Sequence, residues 1–386
     1  MSHNSDLADR ATLSLIAADL KFFSDLALSP RLKPIRSTAA LATMPFLSAF
    51  IVESSKYVSQ KGLVSIQALT PHYELLRTSR QRFKLLDDDR SSFTEILDSA
   101  SRLVDINNGW FQKANRGILG QLKRLIPNDL GVYFVHDGIV CTTHVAFLNM
   151  GLTEKTISLS SLSLETLGPY LRDTTYDFGR YMGLLLNTLD VRGQSPRDAK
   201  TLPNIPRIGY HDLQSSRFYE SMAQRTAPQY PAVCILLTSI LSQINTARVL
   251  APIIGGQNEV ALFKIQFVSL FHAVSNLQKL LNQHRRNNML HPGALQRIET
   301  MLRDDAVRRI RKGTSLRNNL VHYRVDDERI VHRLSTSRPL FGLIEAHSSG
   351  DSAQSIPGDV QRGLDRISAG LNNLLLPEAL TSSGIL

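Results

Sequence analysis

Between residues 231 and 374 the apolar positions recur every three or four residues, and they do so in four separate series. Val233, Leu237, Ile240, Ile244 and Ala247 form the first; Phe263, Phe267, Leu270, Val274, Leu277 and Leu281 the second; Leu295, Ile298, Leu302 and Ala306 the third; and Val360, Leu364, Ile367, Leu371 and Leu374 the fourth. Such spacing draws one apolar stripe along each of four helices. Short connections between the first three let the stripes bury against one another, which predicts an up-down helical bundle.

Ahead of this region, helical patterning covers 6–28, 39–57, 63–86, 92–125 and 162–189, with Pro30, Pro34, Gly62 and Asp87-Asp88-Asp89 as breaks. One stretch departs from the helical period. Gly131 to Val140 reads as two β-rich runs around the Asp137-Gly138 turn. From Val191 to Pro231 the chain is interrupted by Gly193, Pro196, Pro203, Pro206, Gly209, Pro228 and Pro231. That interruption predicts a boundary between a mostly helical N-terminal domain, residues 1–200, and a C-terminal bundle, residues 212–386. The expected class is mainly α.

Length and composition agree with this division. The 386 residues exceed one typical core, and 42% hydrophobic with 20% charged residues is an ordinary globular composition. The two cysteines, Cys141 and Cys234, match no zinc spacing and point to a reducing cytosol. The polar N-terminus has no signal-peptide layout. The longest apolar run, 39–52, is short for a bilayer and holds Pro45 and Ser48. A cytoplasmic protein that does not use a membrane is expected.

Charge changes the picture more. The net charge is +10, and residues 206–386 carry 21 Lys+Arg against 14 Asp+Glu, where residues 1–205 carry 23 against 20. The excess gathers between Arg285 and Arg317, with Arg308, Arg309, Arg311 and Lys312 as candidate RNA-binding residues, since a basic surface attracts a polyanion.

The candidate chemistry lies just beyond that run, in Leu316-Arg317-Asn318-Asn319-Leu320-Val321-His322-Tyr323. On a helix, Asn318 and His322 share a face, and Arg317 reaches the same space. A proton-transfer group, a planar anion clamp and an amide orienter suit a scissile phosphate. The chain holds the same spacing a second time, in Arg286-Asn287-Asn288-Met289-Leu290-His291. There His291 runs into Pro292-Gly293, a turn signal, whereas Gly313-Thr314-Ser315 reads as a helix stop and a fresh N-cap ahead of Arg317. The 317–322 copy is therefore the expected site, and 286–291 an interhelical loop.

The Arg317 to His322 stretch resembles the R-x4-6-H signature of the HEPN superfamily (higher eukaryotes and prokaryotes nucleotide-binding), and Asn318 fits the polar position after the arginine. The order of elements over about 215–386 is also similar. The resemblance implies a metal-independent endoribonuclease without cofactor, acting on RNA through 2′-OH attack in a toxin or antiviral defence context. Its catalytic residues would be Arg317, Asn318 and His322, in a homodimer whose motifs face each other, with an antitoxin or defence-system partner possible. The same family resemblance leaves open a non-catalytic scaffold or nucleotide- or RNA-binding module.

One departure from the family pattern is the insert at 324–357, whose acids Asp326, Asp327 and Glu328 read as a solvated loop. His136, Asp137 and His144 lack a defined metal spacing and read as packing residues. No nucleotide loop, nucleophile elbow, zinc motif or repeat occurs in the chain. A DNA-binding regulator is disfavoured because no helix-turn-helix pair emerges from 231–312.

Overall fold

The computed structural model describes residues 3–29, 32–63, 73–87, 92–114, 128–136, 138–150, 164–189, 208–256, 258–325, 328–348 and 351–376. The class is mainly α. Helices α1 (His3–Leu28), α2 (Arg36–Gln60), α3 (Tyr73–Lys84) and α4 (Phe93–Ala114) come first, followed by strands β1 (Leu130–Val135) and β2 (Gly138–Thr142). Then come α5 (Thr143–Asn149), α6 (Leu164–Thr188), β3 (Ile208–Leu213), α7 (Ser215–Thr226), α8 (Pro231–Asn245), a π-helical turn (Thr246–Leu250) and α9 (Ala251–Gly255). Helices α10 (Glu259–Asn287), α11 (Pro292–Arg303), α12 (Asp305–Arg311), α13 (Thr314–His322), α14 (Glu328–Val331), α15 (Leu343–His347) and α16 (Asp351–Leu375) complete the described chain.

The expected helical series form, with two physical differences. Helix α8 is not striped: every residue from Ala232 to Asn245 is buried, because its sequence is apolar, Ser or Thr almost throughout and neighbours surround it. It packs on α4, α7, α10, α16 and β2. Inside it Thr238 donates to the Cys234 carbonyl one turn back at 2.7 Å. The third series divides in two at Asp304, whose side chain accepts from the amides of Ala306 and Val307 and starts α12 afresh.

The Gly131 to Val140 region forms the expected antiparallel pair, β1 with β2; Asp137 lies outside the described residues. The third strand was not expected. It pairs β3 antiparallel to β1, with Tyr133 opposite Tyr210, and gives the sheet order β2-β1-β3. Residues 208–213 fall inside the proline-rich stretch that reads as a boundary. They join the N-terminal half to the C-terminal one instead of merely separating them. One hydrophobic cluster likewise runs through both halves, from Leu15 and Phe50 through Leu237 to Leu371.

The insert at 324–357 is also more than a solvated loop. It holds α14, a 3-10 turn (Pro339–Gly342), α15 and the start of α16, and it buries Leu334, Leu340, Leu343 and Ile344; Asp326 and Asp327 lie outside the described residues. Three helices, Arg36–Gln60, Pro231–Gly255 and Glu259–Asn287, are long and apolar enough to cross a membrane, the first of them extending well beyond the apolar run at 39–52. In this fold their most apolar windows are 72%, 89% and 67% buried within the protein.

Candidate functional site

Helix α13 carries the motif, and a close approach sets its start. A Cβ on Gly313 would stand 2.7 Å from the Phe267 ring of α10, so the residue before the helix has no room for a side chain. Gly313 serves as the N-cap without a side-chain bond, and Thr314 is already helical. From there Leu316 and Leu320 face the core, while Asn318 faces outward and is exposed.

The helix ends at Tyr323, a non-glycine residue in the left-handed region at φ 53° and ψ 30°. That conformation costs a tyrosine about 1–2 kcal/mol, and three contacts hold it. The Thr12 hydroxyl of α1 donates to the Tyr323 carbonyl at 3.2 Å. The Tyr323 hydroxyl donates to Asp19 of α1. The Lys264 ammonium, also paired with Asp19, lies 3.9 Å from the centre of the Tyr323 ring. Burial lowers the Lys264 pKa, and Asp19 opposes that pull. Beside this group lies a cavity of about 30 Å³, lined by Asp19, Lys264, Val321 and a wall of Phe23, Phe46, Phe50 and Phe83. It has space for a water or two and none for a nucleotide.

Consecutive side chains at this end of α13 reach different helices of the N-terminal half. Tyr323 goes to α1, and His322 goes to α2. His322 Nδ1 lies 3.0 Å from Oε2 of Glu53, which is 4% exposed, while the imidazole keeps 24% of its surface open. The one hydrogen bond of the ring among the described residues is through Nδ1. The other oxygen of Glu53 pairs with Lys56 at 3.0 Å and with Arg80 of α3. Burial raises the Glu53 pKa, but the hydrogen bond from His322 and the charges of Arg80, His322 and Lys56 outweigh it and bring it down to about 2. A carboxylate that stays ionised and fixes one ring nitrogen leaves the other to act as acid or base.

Arg317 sits differently from the expectation of an open clamp. It is 8% exposed, its guanidinium carbon is 5.2 Å from the centre of the Phe271 ring, and Nη1 donates to Oδ1 of Asn318 at 2.8 Å. Asn319, to which the sequence reading gave no role, contacts His347 of the insert at 2.9 Å. Of the basic run, Arg309 is held by both oxygens of the fully buried Asp359. Arg308 pairs with Asp305 at 3.6 Å, Arg311 donates to Gln278 at 3.1 Å, and Lys312 is exposed. Arg308, Arg311 and Lys312 thus keep solvent-facing charge, while Arg309 ties α12 to α16.

Glu53, Lys56 and Arg80 are the residues that sequence reasoning missed. Nothing local marks them: Glu53 is separated from His322 by 269 positions. The one available signal was a lone acid inside the most apolar stretch of the N-terminal half, since a buried charge needs a partner. The second motif copy contributes to no such cluster. Arg286 and His291 are exposed, and His291 is the N-cap of α11, accepting from the Gly293 amide. His144 is fully buried and stacks on Tyr219 with centroids 5.7 Å apart; burial pushes its pKa down to about 4, against the charge of Asp129. No cluster of His, Cys, Asp or Glu suited to a metal occurs among the described residues. No family model, curated protein or solved structure matches the chain.

Proposed function

We propose that this protein is a metal-independent endoribonuclease in which His322, oriented by Glu53, moves the proton. The observation that carries the reading is the dyad itself: a buried carboxylate at 3.0 Å on Nδ1 of a part-exposed imidazole. In the reaction the ribose 2′-oxygen gives up its proton and bonds to phosphorus, and the bond from phosphorus to the 5′-oxygen breaks. The products are a 2′,3′-cyclic phosphate and a 5′-hydroxyl that has gained a proton. An imidazole serves either transfer, and nearby cations offset the charge on the phosphorane, so the chemistry needs no metal. Asn318, held by Arg317, is the outward amide beside it. The reading carries with it a homodimer with facing motifs, an antitoxin or other defence-system partner, and a cytoplasmic setting.

The test is cleavage of a fluorescent RNA in the presence of a chelator, with the ends of the products identified. Cyclic phosphate ends are expected, with a loss of about 10²- to 10⁴-fold for His322→Ala. Intact RNA with the wild type, or equal cleavage by His322→Ala, overturns the proposal. One observation favours a second reading, a non-catalytic RNA- or nucleotide-binding scaffold. Arg317 is packed on Phe271 and turned to Asn318, a structural posture for the residue expected to clamp phosphate. That reading expects RNA retention without cleavage.

A further inference from the structure

Three groups converge on the single carboxylate of Glu53: His322 on one oxygen, Lys56 and Arg80 on the other. Two permanent cations face one anion, so the cluster keeps a positive surplus even with a neutral imidazole. Among the described residues, two nearby acids are engaged elsewhere. Asp9 is taken by Lys61 at 2.7 Å and Tyr57 at 2.8 Å, and Asp19 by Lys264 and Tyr323. The surplus is also reachable, since the Lys56 side chain is 47% exposed and that of His322 24%, while the Arg80 side chain is 14% exposed beneath them.

Resting on the ribonuclease reading, we infer that Lys56, backed by Arg80, seats the phosphodiester oxygen beside His322, so that the anion-binding half of the site comes from α2 and α3 rather than from Arg317. The ammonium and the imidazole contact the two oxygens of one carboxylate, each at 3.0 Å. A phosphate oxygen that approaches Lys56 brings the ribose within reach of Nε2. The charge of Arg80 strengthens that seat without leaving its pairing with Glu53.

The test uses the intact protein and two probes, inorganic phosphate and a short RNA with 2′-O-methyl riboses that cannot be cleaved. Binding is read from the imidazole signals of His322 by NMR. In the wild type both probes shift those signals saturably. Lys56→Met is expected to weaken both at least about tenfold, Lys56→Arg to restore most of the affinity, and Lys61→Met, one turn further along and engaged by Asp9, to change neither. The Lys56 side chain is half exposed, so Lys56→Met keeps the fold, and an unchanged melting temperature verifies it. Equal affinity in Lys56→Met and wild type overturns the inference, as does a response to inorganic phosphate alone. Binding needs no cleavage: Lys56-dependent RNA binding by a protein that cuts nothing upholds this seat while the ribonuclease reading fails.

Discussion

Residues 286–291 and 317–322 repeat one pattern, arginine, two asparagines, two apolar residues and histidine, yet the fold uses them in opposite ways. The first copy spans the end of one helix and the beginning of the next. Asn288 takes the left-handed cap of α10 at φ 48°, the His284 ring accepts from the Leu290 amide, and His291 caps α11. Its histidine is spent on a backbone amide at the surface. The second copy lies within α13, so its side chains project outward from the helix, and its last residue, His322, meets a buried carboxylate. The difference lies in what faces the histidine. A ring that caps a helix has one nitrogen occupied by an amide, whereas the ring on Glu53 has one nitrogen held by a buried, ionised carboxylate and the other left for chemistry.

The sharpest way to break this contrast is to remove each histidine. His322→Ala should lower RNA cleavage by about 10²- to 10⁴-fold while shifting the melting temperature little, because Glu53 retains Lys56 and Arg80. Loss of activity in His291→Ala instead would move the site to the first copy. Next in size is Glu53→Gln, which keeps the shape but leaves Arg80 mostly buried without its counter-charge. A stability loss of about 3 kcal/mol is expected in denaturant titration, together with reduced cleavage as His322 loses its orienter. A variant as stable and active as the wild type would detach Glu53 from the site.

Acid titration separates Glu53 from the buried His144. The Glu53 pKa is about 2 in the fold against an ordinary value of 4.5, so its contribution is complete above pH 4.5 and is lost as pH falls towards 2, on the order of 3 kcal/mol. His144 has the opposite sign of charge and a pKa of about 4 against 6.5. The unfolded chain takes up its proton first, so stability falls between pH 6.5 and 4. His144→Leu should flatten the upper limb alone, and Glu53→Gln the lower one. Stability measured by denaturant at each pH checks both, and a single limb insensitive to either change would contradict the assignment.

A smaller effect is expected from Arg317→Lys. The charge survives, but the planar contact with Phe271 and the bond to Asn318 are weakened, for about 1–2 kcal/mol of stability and a partial loss of cleavage. The smallest belongs to His291→Ala. It forfeits one exposed N-cap bond worth up to about 1 kcal/mol and leaves cleavage unchanged.

Much of the architecture was legible along the chain, because helices and their breaks depend on neighbours in sequence. The series at Phe263 to Leu281 and Val360 to Leu374 appear as α10 and α16, and Gly131 to Val140 as a hairpin. The turn after the first motif copy was legible for the same reason, since proline and glycine act locally. Strand β3 was not: Ile208-Gly209-Tyr210-His211-Asp212-Leu213 has weak strand patterning and draws its order from hydrogen bonds to β1. The all-round burial of α8 and the packing of the insert against α13 also depend on what surrounds them.

The sequence by itself determined the mainly helical class, the placement of Arg317, Asn318 and His322 on one short helix, and the basic character of the region before it. Tertiary structure alone decided which charges meet. Arg309 went to Asp359, Arg317 to the face of Phe271, and His322 to a carboxylate 269 positions away. The reason is that helix formation is governed by residues three and four apart, whereas a buried carboxylate is tolerated only where distant cations converge on it.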